Sequence, residues 1–241
     1  MPKAIFFLVL SAVVQNQLRA DEDGARIDRI LHNYVQALGG QAAVDRIQTR
    51  EVRAEVHRGP KLTYFWQRPD KVLLITKKEK IAYDGSGGWT LSKKKHLTRL
   101  SKGAQRPLQI DADPIRYVHL KTLYFEIHPA SPEERDGVKM DVLVAPNDIG
   151  ATKFLFNQST HLLSRIEETG ETSAYYKQTT EFLNYKELDG IRLPFRIIHT
   201  STAPGISTRD IRISKIEQNI ELKPDIFSKP TAGAVVLGGK R

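Results

Sequence analysis

"YFWQRPDKVLLIT", residues 64–76, sets Val72, Leu73, Leu74 and Ile75 side by side directly after an RPD turn. A strand that alternates apolar with polar residues buries one face and wets the other, so four consecutive apolar residues require cover on both faces. The neighbouring stretches behave differently. From Glu51 onward Val52, Ala54 and Val56 alternate with Glu51, Arg53, Glu55 and His57, the period-two signature of a half-wet strand. What dries the second face of 72–75 is therefore the question on which fold and function turn.

Working outward, strands are expected over 50–58, 61–67, 71–78, 79–84, 88–93, 96–101, 121–128, 137–145, 151–157, 161–169, 173–186, 191–201 and 206–219. Turns are marked by RGP, RPD, DGSGG, RDG, NQST, TGET and LDG. About eleven of these are expected to be ladder members. Asp189-Gly190 signals a tight hairpin, and Pro194 just beyond it calls for an edge or a bulge. Two helical regions interrupt the pattern. Ile27, Ile30, Leu31, Tyr34, Val35 and Leu38 line one helical face that Gly39-Gly40 ends, with Asp21–Asp23 at its start and QAAVDRIQ adding a turn or two. Asp113-Pro114 then reads as a cap and first turn for a short helix presenting Ile115, Val118 and His119.

The first twenty residues carry Lys3, an apolar run from Ala4 to Val14 and Ala20 before an acidic DED, the pattern of a cleaved signal peptide and an exported, periplasmic protein. The run is short of the ~20 apolar residues that span a bilayer. The expected division is 1–20 signal peptide, 21–230 one domain, and 231–241 a loose tail. Lys and Arg number 37 against 28 acidic residues, a net charge of +9; removing Lys3 and Arg19 leaves +7, which suits anionic lipid surfaces or acidic partners. No cysteine occurs, which excludes disulfides, thiol catalysis and attachment through a lipidated cysteine.

Catalytic and metal signatures are missing. The seven histidines, at 32, 57, 96, 119, 128, 161 and 199, include no HExxH pair; DAD at 111–113 is better explained as a helix start; GSGG at 85–88 lacks the lysine and helix of a phosphate loop; no GxSxG elbow exists. The chain is expected to be no enzyme and to use no metal or cofactor.

RPDK at 68–71, YDGSGGW at 83–89, FNQSTHLLSRIEE from 156 and NYKELDGIRLPFRI from 184, in this order and spacing, resemble the outer-membrane lipoprotein-sorting family, the LolA-like periplasmic carriers. The resemblance runs from RILHNYVQALGG to ELKPDIFSKP. It implies a mainly β (α+β) fold: a strongly curved antiparallel sheet forming an open, incomplete barrel, with an N-terminal helix and a short lid helix over an apolar cavity. That cavity would take the acyl chains of lipid or lipoprotein and would supply the dry surface that residues 72–75 demand. An inner-membrane release complex and an outer-membrane receptor are the partners the family implies, with transient contact to an anionic membrane surface, no nucleic acid, and a monomeric carrier.

On that footing Val56, Trp66, Leu74, Trp89, Leu91, Phe154, Phe156, Leu162, Ile166, Ile211 and Ile213 are candidates to line the cavity. Each is equally explained as filling a closed core. Arg68 is either an ordinary turn residue or a latch whose guanidinium bonds carbonyls of the lid around 113–119. The lysines at 77, 78, 80, 93, 94 and 95 are either a solvated edge protected from aggregation or a patch for lipid headgroups or an acidic partner. The expected function is a carrier of lipid or lipoprotein acyl chains; the alternative is an envelope regulatory or structural module that uses the same fold to hold a protein partner.

Overall fold

The computed structural model describes residues 3–147, 150–170, 177–203 and 208–230, with side chains from residue 20 onward. The tail expected at 231–241 lies outside the described residues. In chain order the elements are α1 (Lys3–Leu38), α2 (Gln41–Asp45), β1 (Thr49–Val56), β2 (Lys61–Gln67), β3 (Lys71–Thr76), β4 (Glu79–Asp84), β5 (Gly88–Ser92), β6 (Leu97–Arg99), α3 (Lys102–Asp111), a 3₁₀ turn (Arg116–His119), α4 (Leu120–Leu123), β7 (His128–Arg135), β8 (Val138–Asn147), β9 (Gly150–Asn157), β10 (Leu163–Gly170), β11 (Lys177–Leu188), β12 (Ile191–Ser201) and β13 (Arg209–Gln218). They divide between two compact units, one of residues up to Val44 with Val118–Arg209, the other of Asp45–Tyr117 with Asp210 onward.

The second unit holds the antiparallel ladder β6-β5-β4-β3-β2-β1-β13. Its register answers the question posed by residues 72–75. Leu73 stands beside Phe65 and Ala82, and Ala82 beside Trp89, so these side chains share one face. Leu222, Ile226 and Phe227, from the segment after β13, pack against that face, and Trp89 Nε1 donates to the Phe227 carbonyl at 2.9 Å. Val72 stands beside Trp66 and Tyr83 on the opposite face, where Leu108 and Ala112 at the end of α3 cover it. Val72 and Leu73 are dry on opposite faces because a helix lies on one and a C-terminal strap on the other, while Leu74 and Ile75 stay half-buried.

The first unit holds the antiparallel ladder β12-β11-β10-β9-β8-β7. Phe154, Phe156 and Ile166 share a face with Leu143 and Leu163. Tyr34 of α1 meets Phe156 edge-on at 5.3 Å and Tyr124 meets Phe154 at 5.4 Å, while Arg26 Nη2 donates to the Ala130 carbonyl at 2.5 Å. The predicted helical stripe from Ile27 to Leu38 is buried throughout. Gly39 follows at φ 130°, so close to the β11–β12 turn that a Cβ there would meet the Gly190 carbonyl oxygen at 2.0 Å. Asp189 and Gly190 both have positive φ, 53° and 77°, as the DG hairpin requires. Pro194 stands opposite Tyr185, next to Asn184 at φ 54°, where the strand leaves extended geometry.

On the other face of this unit Met140, Val142 and Leu155 form a small core beside an ionic cluster. Buried Glu167 lies 3.6 Å from both Arg135 and Lys177 and 3.7 Å from Arg165. Glu133 pairs with Arg135 and accepts from Lys153 Nζ at 2.7 Å. Neither ladder returns to its first strand, so the expected mainly β, antiparallel, unclosed sheet with an N-terminal helix and a short helix after β6 is present.

Three expectations about elements are corrected. Residues 121–128 were expected to form a strand, but they contain most of α4, and the strand is β7 at His128–Arg135. Pro129 and Pro132 disguise β7; an edge strand tolerates them because one side of its backbone needs no donor. The short helix at 113–119 is preceded by the full helix α3, capped by Ser101, whose Oγ accepts from Ala104 N at 3.4 Å. Finally α1 begins at Lys3 rather than near Asp21, since no glycine or proline between Lys3 and Asp23 stops a helix extending backward.

Two measurements check this packing. Phe227→Ala removes the strap's anchor from the Leu73–Trp89 face and is expected to cost about 3–5 kcal/mol, read as a lower urea midpoint. The Lys153 hydrogen bond, acting against desolvation and assisted by Arg135 and Lys177, holds the Glu133 carboxyl below the ordinary glutamate range. A depressed folded-state pKa gives stability that is present above the unfolded value, about 4.3, and lost as pH falls through the folded one. Glu133→Gln is therefore expected to flatten the acid limb of the urea midpoint plotted against pH.

Candidate functional site

On the α3 side of the second unit, the register gathers one apolar face from five strands. Val56 pairs with Ile211 and Ala54 with Ile213; Val52 stands beside Tyr64, Tyr64 beside Leu74, and Leu74 beside Ile81. A bulge in β13 after Ile213 keeps Ile213 and Ile216 on this face despite their spacing of three. Val52, Ala54, Leu62, Val72 and Ile216 are buried, whereas Val56, Tyr64, Leu74, Ile81, Ile211 and Ile213 are only half-buried. The half-buried group leans toward the strand ends at Val56, Thr76 and Ile211, away from α3. Tyr64 and Trp66 stack in parallel, 5.1 Å between ring centroids.

Helix α3 rests on the other end of this face with few anchors. None of its residues is fully buried, and Pro107 sits inside it. Trp66 Nε1 donates to the Asp111 carbonyl at 2.7 Å, Gln109 Nε2 to the Tyr83 hydroxyl at 3.1 Å, and Gln105 Nε2 to the Leu100 carbonyl at 2.7 Å. After the helix, Asp113 Oδ1 accepts from Ile115 N at 3.0 Å, as the Asp-Pro pair predicts for a cap. Arg50 then ties this segment to the sheet: Nη1 donates to the Pro114 carbonyl and Nη2 to Gln218 Oε1, both at 3.0 Å. A helix held by side-chain donors and one small apolar contact belongs to the low-stability part of a fold.

Arg68, read either as a turn residue or as the latch, makes the contacts of a turn residue. Its Nη1 donates to the Ile47 carbonyl at 3.4 Å and its backbone N to the Gln48 carbonyl, so it ties the RPD turn to the start of β1. Arg50 meets the Pro114 carbonyl instead. The signal for it was present in the alternation, because Arg50 shares the parity of Val52, Ala54 and Val56 and so stands on the apolar face.

The other candidates separate into groups. Val56, Trp66, Leu74, Ile211 and Ile213 lie together on the face that α3 covers at its other end. Trp89 and Leu91 lie on the opposite face, against the strap. Phe154, Phe156 and Ile166 are buried in the first unit, and Leu162 is buried in the turn before β10. A cavity of about 290 Å³ in the first unit, at the ends of β11 and β12, is lined by Gln178, Thr179, Thr180, Thr200 and Ser201 with His199 and Arg209, and no hydrocarbon side chain, aliphatic or aromatic, is among them. Among the described residues no group of three or more His, Cys, Asp or Glu is placed to hold a metal ion. No described helix is long and apolar enough to cross a membrane.

No protein-family model and no curated protein sequence matches the chain. Solved structures do share its fold. A DUF1329 family protein from Desulfovibrio piger superposes with a TM-score of 0.62 at 14% identity, covering 83% of this chain and 96% of that one. A LolA superfamily protein from Nitrosomonas europaea gives 0.54 at 15% identity over 81% and 97%. An outer membrane lipoprotein-sorting protein domain from Vibrio parahaemolyticus gives 0.54 at 15% identity over 76% and 88%. The fold is thus the one that the RPDK, YDGSGGW and NYKELDG segments resemble.

Arg50→Leu is expected to remove the charged donor from the Pro114 carbonyl, a change of about 1.5–3 kcal/mol in the free energy that holds this segment down. Backbone amides at 108–117 should then exchange with deuterium roughly ten- to a hundredfold faster, while those of β3 keep their protection; Arg68→Leu should leave 108–117 unchanged.

Proposed function

We propose that this protein is an exported, non-enzymatic carrier that holds acyl chains of a lipid or lipoprotein against the half-buried apolar face on the α3 side of the second unit. The observation that carries the reading is that face itself: Val56, Tyr64, Leu74, Ile81, Ile211 and Ile213 are partly wet in a sheet whose reverse side is closed by its own strap. A large apolar surface left incompletely covered marks a place where something else binds. Each methylene kept from water contributes about 0.8 kcal/mol, so a chain of about fifteen carries a penalty on the order of 12 kcal/mol in aqueous transit that such a surface can relieve.

In this reading α3 is the lid and Arg50 its latch. Opening exposes the face to an incoming chain, and closing favours release to a membrane or partner that offers the chain a comparable home. The fold shared with a LolA superfamily protein and a lipoprotein-sorting domain supports the carrier reading. Delivery to an outer-membrane receptor and loading by an inner-membrane complex belong to the same proposal, as does removal of residues 1–20 on export.

Organic extraction of the purified protein followed by mass spectrometry should yield co-purified lipid, and a fluorescent fatty acid should bind with micromolar or tighter affinity. Absence of both assigns the fold to a protein-binding module instead. Leu74→Glu puts a charge on the half-buried face and is expected to weaken fatty-acid binding more than tenfold with the β-sheet circular dichroism intact. Trp89→Glu, on the closed face beneath the strap, is expected to abolish folding. Unchanged binding in Leu74→Glu would remove this face from the site.

A further inference from the structure

Antiparallel alternation brings the β1–β2, β3–β4 and β5–β6 turns of the second unit to one end of its ladder. It is the end at which Val56, Leu74 and Ile211 are half-buried. Successive hairpin tips are spaced by two strand separations, ~10 Å, so the three form a row roughly 20 Å long. Their chemistry is one-sided. The first tip carries Arg58 and Lys61, the second Lys77 and Lys78, and the third the run Lys93–Lys95; Glu79 is the single acid in these turns. All of these side chains are exposed, and none of the seven cations takes part in an ion pair among the described residues. Lys93 N donates to the Lys78 carbonyl at 2.7 Å, which fixes the second and third tips side by side. The turns at the opposite end, 68–70 and 84–87, carry Arg68 against Asp70 and Asp84.

We infer that this row of hairpin tips is a docking surface for an anionic lipid bilayer, oriented so that the open end of the apolar face meets the membrane. A solvated edge protected from aggregation explains isolated lysines, yet it does not explain why three successive tips at one end are basic and the turns at the other end are not. Six of the seven cations are lysines. Lysine is a hydrated point charge on a flexible stem, which suits a fluid array of phosphates better than the fixed forks of a protein or base-edge partner. Tip spacing close to the Debye length, about 8 Å at physiological salt, lets the charges act together on a charged plane. This docking rests on the carrier reading only for its purpose; the lipid surface is recognised by the tips whether or not the face holds an acyl chain.

Flotation of the full chain with vesicles of phosphatidylcholine alone, and of equal parts phosphatidylcholine and phosphatidylglycerol, tests it. Binding is expected to the mixed vesicles only and to weaken as salt rises. With a basic residue near the surface contributing roughly fivefold, Lys93→Glu, Lys94→Glu and Lys95→Glu combined should lower partitioning by about a hundredfold or more. A control triple of equal charge change at exposed Lys139, Lys223 and Lys229 should lose far less. Fluorescent fatty-acid binding, measured without vesicles, should be the same in both triples and the parent; its absence in the parent alongside intact flotation would defeat the carrier reading and leave the docking surface standing. Equal binding to neutral vesicles, equal loss in the two triples, or binding of soluble polyglutamate through the tips with no flotation would overturn the proposal, the last assigning the row to an acidic protein.

Discussion

The constraint on which the second unit depends is the two-sided dryness of β3. Four adjacent apolar residues cannot be satisfied by a sheet wet on one side, so the chain supplies a layer for each face, α3 above Val72 and the strap Leu222–Phe227 below Leu73. The two layers differ in strength, and that difference gives the unit its character. The strap is sealed by buried Trp89, whose indole N–H finds the Phe227 carbonyl, while α3 buries no residue fully and relies on donors from Trp66, Gln109 and Arg50. One face is a closed core, and the other is covered only in part.

The first unit solves a similar problem with the opposite balance. Its main apolar face is filled by α1, whose whole stripe from Ile27 to Leu38 is buried, and by the edge-on contacts of Tyr34 and Tyr124 with the paired phenylalanines of β9. Its reverse face sets Glu167 among Arg135, Arg165 and Lys177, so that three cations compensate one buried carboxylate. Phe154 and Phe156, candidates either to line a cavity or to fill a core, lie fully buried beneath aromatic neighbours.

Much of the architecture was legible in the sequence because it rests on local physics. Period-two alternation located most strands, the Ile27–Leu38 stripe located the buried part of the helix, and Asp189-Gly190 located a turn that needs two positive φ angles. Failures have physical reasons too. Pro129 and Pro132 argue against a strand unless that strand is at an edge, which local sequence does not say. Arg50 was passed over for Arg68 because a turn arginine is conspicuous, whereas an arginine on the apolar parity of a strand is recognised only once that face is known to need a polar partner.

Alone, then, the sequence determined that β3 needs cover on both faces, that the chain is mainly β, and that basic residues crowd particular turns, since period, turn chemistry and charge are properties of neighbours along the chain. Only the tertiary structure decided which layer dries which face, that Trp66 and Trp89 point to opposite sides, that Arg50 reaches Pro114, and that three basic turns share one end of a ladder. Those facts depend on register and on contacts between residues far apart in the chain, Arg50 and Gln218 being 168 positions apart, and a period read along the chain carries no information about which strand lies beside which.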